Sequence, residues 1–125
     1  MKILVVDDDI QLGRLIKGMF EQLGESQVDC VEEGREGLRR LRQEAYGLVL
    51  LDINMPTMSG VDFAVELGQQ QPGTPCIFVT AAANEMAQAA MNVAQEAGVR
   101  MLGTLHKPFS LEQLETLLQQ ARSAA

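Results

Sequence analysis

The sequence contains no tryptophan, one histidine, one tyrosine and two cysteines, and aromatic residues make up only 4% of its 125 positions. The single histidine, His106, has no partner at metal-ligand spacing on a helix and reads as an exposed strand-end side chain. Basic residues are scarce as well: 10 Lys and Arg stand against 17 Asp and Glu, for a net charge of −7 and a pI near 4.6. That balance argues against binding nucleic acid or an anionic membrane. Arg35, Arg39 and Arg42 do share a helix face, but Glu32, Glu33, Glu36 and Glu44 surround them, as on a solvated surface. Long apolar runs are missing too. The run after Lys2 is too short for a signal peptide and none is long enough to span a bilayer, so a cytoplasmic location is expected. No repeat, low-complexity tract or linker is visible, and only Arg122–Ala125 has the character of a linker start. A chain of this length buries an ordinary core without disulfide or metal staples, and residues 1–125 are expected to form a single domain.

What is present alternates between strand and helix. Ile3–Val6 is apolar without polar alternation, as in a strand buried on both faces. Leu12, Leu15, Ile16, Met19, Phe20 and Leu23 then fall on one helical face, and Gly24 closes that helix. Gln27–Val31 reads as a second strand, Gly34–Ala45 as a helix with a sparse stripe at Leu38 and Leu41, and Leu48–Leu51 as a third strand ending at Asp52. Ser59, with Asp62 three residues on, starts another helix that stops at Gln71–Pro75. Cys76–Val79 makes a fourth strand ending at Thr80, Asn84–Ala97 an Ala- and Met-rich helix, and Val99–Leu105 a fifth strand. Ser110 and Gln113 form a capping box for a last helix carrying Leu111, Leu114, Leu117, Leu118 and Ala121 on one face. Five such units in series predict a doubly wound α/β fold, a parallel sheet with helices on both sides.

The opening segment KILVVDDDIQL runs directly from a buried strand into three carboxylates, Asp7, Asp8 and Asp9. Like charges a few ångströms apart repel, more strongly beside a low-dielectric core. Asp9 fits as the N-cap of the first helix. In open parallel sheets, sites form at the carboxyl ends of the strands. There the sequence places Asp7 and Asp8, Asp52, Thr80 and Lys107. Carboxylate oxygens without His or Cys ligands suit a hard octahedral cation such as Mg²⁺, which would relieve the repulsion.

ILVVDDD, LVLLDINMPTMSG, IFVTA and LHKPF, each ending a predicted strand, resemble in order and along the whole chain the signature segments of the bacterial response-regulator receiver domain. The resemblance implies a flavodoxin-like sheet of order 2-1-3-4-5. It implies that Asp52 accepts a phosphoryl group from a histidine kinase or phosphotransfer protein. Asp8, Asp52 and the backbone carbonyl of Asn54 would bind Mg²⁺ directly, Asp7 mainly through water, and Thr80 and Lys107 would contact the phosphoryl oxygens. The family also catalyses its own dephosphorylation, usually has the Lys–Pro bond (here Lys107–Pro108) cis, and relays its state to an output domain, a partner protein or a second copy of itself. The Ala- and Met-rich helix, the fifth strand and the last helix are the expected contact surface, since small and flexible apolar side chains suit an adaptable interface.

Two features depart from the family pattern. The fifth strand commonly carries an aromatic switch residue three positions before the Lys, where this chain has Thr104. The stretch from Thr80 to Lys107 is longer than usual by about one helical turn; with GVRMLGTLHKPFSLEQL it is similar to receivers that precede EAL-type cyclic di-GMP phosphodiesterase domains. Two other classes compete. Asp7 and Asp9 make the D-x-D of a haloacid-dehalogenase-type phosphohydrolase, although Gln11 stands where that family wants Thr or Val. A degenerate receiver serving only for docking is the third reading, against which the complete set of acids, Thr and Lys argues. In the implied strand order Cys30 and Cys76 lie three spacings apart, about 14 Å at ~4.8 Å each. A disulfide needs Cα atoms within roughly 7 Å, so both are expected to be buried free thiols.

Overall fold

In the computed structural model, which describes residues 1–123, the elements run β1 (Lys2–Val6), α1 (Ile10–Gln22), β2 (Gln27–Val31), α2 (Gly34–Gln43), β3 (Leu48–Asp52), α3 (Gly60–Gln70), β4 (Pro75–Thr80), α4 (Asn84–Glu96), β5 (Arg100–His106) and α5 (Leu111–Ser123). The strands form one parallel sheet in the order β2-β1-β3-β4-β5. Alternation along the strands sorts the core into two layers. Leu4, Val6, Val49, Leu51, Cys76 and Phe78 point to the side covered by α2, α3 and α4, where they meet Leu38, Leu41, Phe63, Leu67 and Ala94. Ile3, Val5, Leu48, Leu50, Ile77 and Val79 point to the side covered by α1 and α5, against Ile16, Phe20, Leu114 and Leu118. Because both faces are covered, the central strands are apolar between their end residues, which is why they read as unbroken runs. Among the described residues no helix is long and apolar enough to cross a membrane.

The helix starts follow the expected chemistry. Asp9 accepts a hydrogen bond from the Leu12 amide at 3.1 Å, and Ser59 accepts from Asp62 N. Ser110 and Gln113 exchange the reciprocal pair of a capping box, at 2.9 and 3.1 Å. The fifth strand begins one residue later than expected. Gly98 ends α4 with a positive φ of 87°, and the Val99 amide is taken up by Ala94 O, so Val99 belongs to the helix cap. Within β5, Met101 pairs with Cys76 and Gly103 with Ile77, which leaves Leu102 as a bulge.

Two side chains contradict the sequence reading. Leu15, expected on the buried stripe of α1, is 60% exposed. The helix buries the stripe of Gly13, Ile16 and Phe20, with Gly13 facing Cys30 of β2, and Leu15, about 200° round the helix from Gly13, points outward. Cys30 is exposed, not buried, because β2 is an edge strand whose inner positions are Val28 and Val31. Cys76 is buried and both thiols are free, as expected.

Candidate functional site

The parallel register levels the carboxyl ends of the strands. Val6 is paired with Val31 and Leu51, Asp52 with Val79, and Thr80 with His106. The next residue after each apolar run therefore arrives at one rim: Asp7 and Asp8 after β1, Asp52 ending β3, Thr80 ending β4 and Lys107 after β5. Backbone bonds lock these ends together. Asp7 N donates to Val31 O at 3.1 Å, Ile53 N to Val79 O at 3.3 Å and Lys107 N to Thr80 O at 2.8 Å.

Carboxylate oxygens of Asp7, Asp8 and Asp52 lie within 4.8 Å of one another. Asp7 and Asp52 are buried and Asp8 is exposed, so the cluster opens to solvent on one side. The Lys107 ammonium approaches Asp7 Oδ2 at 3.4 Å and Asp52 Oδ2 at 3.6 Å. Both lengths are too long for strong charge-assisted hydrogen bonds, and Asp7 Oδ2 is buried without a hydrogen-bond partner. Asp7 Oδ1 accepts from the Asp9 amide at 2.9 Å, and Asp52 Oδ1 from the Asn54 amide at 3.2 Å. Burial and then the charge of Asp7 push the Asp52 carboxyl up to about 6, against the opposing pull of Lys107 and the Asn54 amide. Thr80 is fully buried, and its Oγ1 accepts from the Ala82 amide at 2.9 Å. The Lys107–Pro108 bond is cis.

An orphaned buried carboxylate oxygen inside a cluster of three acids is a polar arrangement short of positive charge. Oxygen ligands on opposite sides of a Mg²⁺ ion stand about 4.2 Å apart at the usual ~2.1 Å bond length. The cluster fits one such ion with small adjustments, and the exposed flank at Asp8 leaves room for the waters Mg²⁺ retains.

Asp9 takes no part in this cluster. It is exposed and spent on capping α1, which leaves the D-x-D reading without a second carboxylate. His106 is exposed, as expected. Thr104 is half-buried on the edge strand. Sequence reasoning noted Gly60 only as part of a motif, whereas the structure gives the reason for it: a Cβ there would lie 2.4 Å from Asp52 O and 2.8 Å from Ile53 Cα. That close approach allows the Gly60 amide to donate to Ile53 O at 2.8 Å and folds the β3–α3 loop back over the end of β3.

Comparison with known proteins agrees with this geometry. The profile of the response regulator receiver domain matches residues 3–119. The chain is similar to the chemotaxis protein CheY of Pseudomonas aeruginosa, with 32% identity covering 95% of this chain and 94% of that one. It is also 32% identical to the transcriptional regulatory protein CrdR of Helicobacter pylori, covering 94% of this chain but 53% of CrdR. Among solved structures, the response regulator TrrA of Thermotoga maritima, crystallised in complex with Mg²⁺ and BeF, superposes with a TM-score of 0.81 at 29% identity, over 97% of this chain and 99% of that one. The strand order, the carboxyl-end acid rim and a profile match over nearly the whole chain establish that this protein belongs to the response regulator receiver domain family.

Proposed function

We propose that this receiver, residues 1–125 acting as one unit, is switched by phosphorylation of Asp52, with Mg²⁺ held by Asp8, Asp52 and the backbone carbonyl of Asn54, and by Asp7 through water. The observation that carries the reading is the convergence of Asp7, Asp8 and Asp52 within 4.8 Å beside Lys107. TrrA, crystallised with Mg²⁺ and BeF, supports the choice of ion.

Asp52 is a buried acid beside Asp7 and Lys107, and its carboxylate is a competent nucleophile toward phosphorus. One of its oxygens forms the new bond to phosphorus while the bond from phosphorus to the donor's leaving atom, an imidazole nitrogen when a histidine kinase or phosphotransfer protein is the donor, breaks. A bound Mg²⁺ supplies positive charge to the phosphoryl oxygens and to the crowded acids. Lys107 already sits between Asp7 and Asp52 and adds a second positive charge to the same space. Thr80 Oγ1 uses a lone pair on the Ala82 amide, so its proton remains available to a phosphoryl oxygen. A movement of Thr80 toward that oxygen draws on the 81–83 loop at the start of α4, which links the chemistry to the surface.

The state is passed to an output domain or a partner through the face made by α4, β5 and α5. Met86 and Val93, 59% and 47% exposed on α4, support this choice. With Thr104 in place of an aromatic residue, the signal runs through the 81–83 loop and α4 and does not need a ring flip. The test of the acceptor is direct. Incubation with a small acyl phosphate and Mg²⁺ gives a single base-labile phosphoryl adduct by mass spectrometry, and Asp52→Asn abolishes it. An undiminished adduct in that variant refutes the assignment.

A further inference from the structure

The β3–α3 loop, residues 53–59, carries Asn54, and its two ends are tied down locally. Asn54 N donates to Asp52 Oδ1 at the start, and Gly60 N donates to Ile53 O at the close. Between these ties two methionines of the loop pack into the protein. Met55 is buried in the core layer under α2, α3 and α4, and Met58 packs partly buried against that layer. Met58 lies directly on the backbone of Gly34, the first residue of α2. A Cβ built on Gly34 would stand 2.8 Å from Met58 Sδ, 3.1 Å from its Cβ and 3.2 Å from its Cγ.

We propose that Gly34 is a positioning residue for the metal site: by seating Met58 on the first turn of α2, it sets where the Asn54 carbonyl stands at the acid rim. This rests on the Mg²⁺ reading above. The close atoms decide the argument. A clash with the tip of a flexible side chain is relieved by a rotamer change, but here the crowded atoms include the root of Met58, its Cβ. A methyl group on Gly34 turns Sδ aside and also presses on Met58 Cβ at 3.1 Å, which must give by a few tenths of an ångström, a shift passed to the Met58 backbone. Pro56 has its φ fixed and both loop ends are held by hydrogen bonds, so the displacement has few torsions in which to dissipate before Asn54. Gly37, one turn further along α2, is the built-in control. A Cβ there would meet Phe63 Cε2 at 2.8 Å and Val6 Cγ2 at 3.1 Å, in the core and away from the loop.

The experiment is a double-mutant cycle on the intact chain, with Mg²⁺ titrated calorimetrically and the Asn54 amide followed by NMR in metal-free buffer. Gly34→Ala weakens Mg²⁺ binding about three- to tenfold in the wild-type background and less than about twofold in the Met58→Ala background, the non-additivity expected of a direct contact. It also shifts the Asn54 amide. Gly37→Ala lowers the melting temperature and leaves both the Mg²⁺ affinity and that amide unchanged. Met58→Ala alone removes the seat, shifts the Asn54 amide and weakens Mg²⁺ binding, which keeps the test valid if Gly34→Ala does not fold. An equal loss from Gly34→Ala in both backgrounds, or an Asn54 amide unmoved by Gly34→Ala and Met58→Ala, overturns the proposal. If the wild type fails to respond to Mg²⁺ while the Asn54 amide still follows Gly34, the metal reading falls and the positioning contact stands.

Discussion

At the amino end of the sheet, Glu25 is buried between two cations: the Met1 amino group at 2.9 Å and the Arg122 guanidinium at 2.8 and 3.0 Å, which also donates to Leu23 O at 2.9 Å. At the carboxyl end, three acids crowd within 4.8 Å and Lys107 comes no closer than 3.4 Å. The consequences are opposite in sign. Burial raises the Glu25 carboxyl, but its hydrogen bonds and attraction to Met1 and Arg122 prevail and hold it below its ordinary value. Asp52 is pushed up to about 6 by burial and the charge of Asp7. One end closes its charges into a clasp between the α1–β2 turn and α5. The other keeps unmet negative charge at a solvent-facing rim, which favours a ligand that brings positive charge.

The comparison breaks most visibly at the clasp. Glu25→Gln removes the charge facing two cations and should cost about 2 kcal/mol, on the scale of charged hydrogen bonds in part-buried sites, lowering the melting temperature by roughly 4–9 °C. The pH dependence of that cost follows from the lowered carboxyl. The stabilisation is complete above the ordinary value of 4.5 and is lost as pH falls through the lower folded value. Wild type and Glu25→Gln should therefore converge in acid, as thermal melts across that range would show.

A smaller effect is expected from metal at the rim. At ten times its dissociation constant, Mg²⁺ should stabilise the protein by about 1.4 kcal/mol, or roughly 3–6 °C. Asp8→Ala should abolish most of this shift, whereas Asp9→Ala and Glu25→Gln should keep it. A wild-type transition that is the same in Mg²⁺ and EDTA would remove the asymmetry on which the metal reading stands.

The smallest effect sharpens the contrast in sign. In EDTA, Asp8→Ala relieves repulsion at an exposed position and should raise stability by about 0.5 kcal/mol, seen as a small upward shift in the same melts. Removing an acid thus stabilises one end of the sheet and destabilises the other.

The rim was legible in the sequence and the clasp was not. Asp7, Asp52 and Thr80 each end or follow an apolar run buried on both faces, and Lys107 follows the fifth strand at the edge, so locating the strand ends located the site. Glu25 and Arg122 are 97 residues apart and sit on turns and helix ends with no periodic signal, so only the three-dimensional arrangement joins them. The errors in burial share a cause. Both depend on which stripe of α1 meets the sheet: Gly13, Ile16 and Phe20 are buried, which sets a glycine beside Cys30 on the edge strand and turns Leu15 to solvent. The seat of Met58 on Gly34 was hidden for a related reason. A glycine at a helix start reads as a boundary, and nothing local reveals which side chain occupies the space it leaves.

β5 is an edge strand of seven residues, and among the described residues no further strand pairs with its outer side. Such a ladder is a template on which unrelated or partly unfolded chains can grow into fibrils. The bulge at Leu102 divides it into two stretches out of phase with each other, and the added local twist turns the second away from the first. An incoming strand in register with Arg100 and Met101 loses that register before Gly103. The edge can therefore stay open to water without offering one continuous ladder for a second chain to extend.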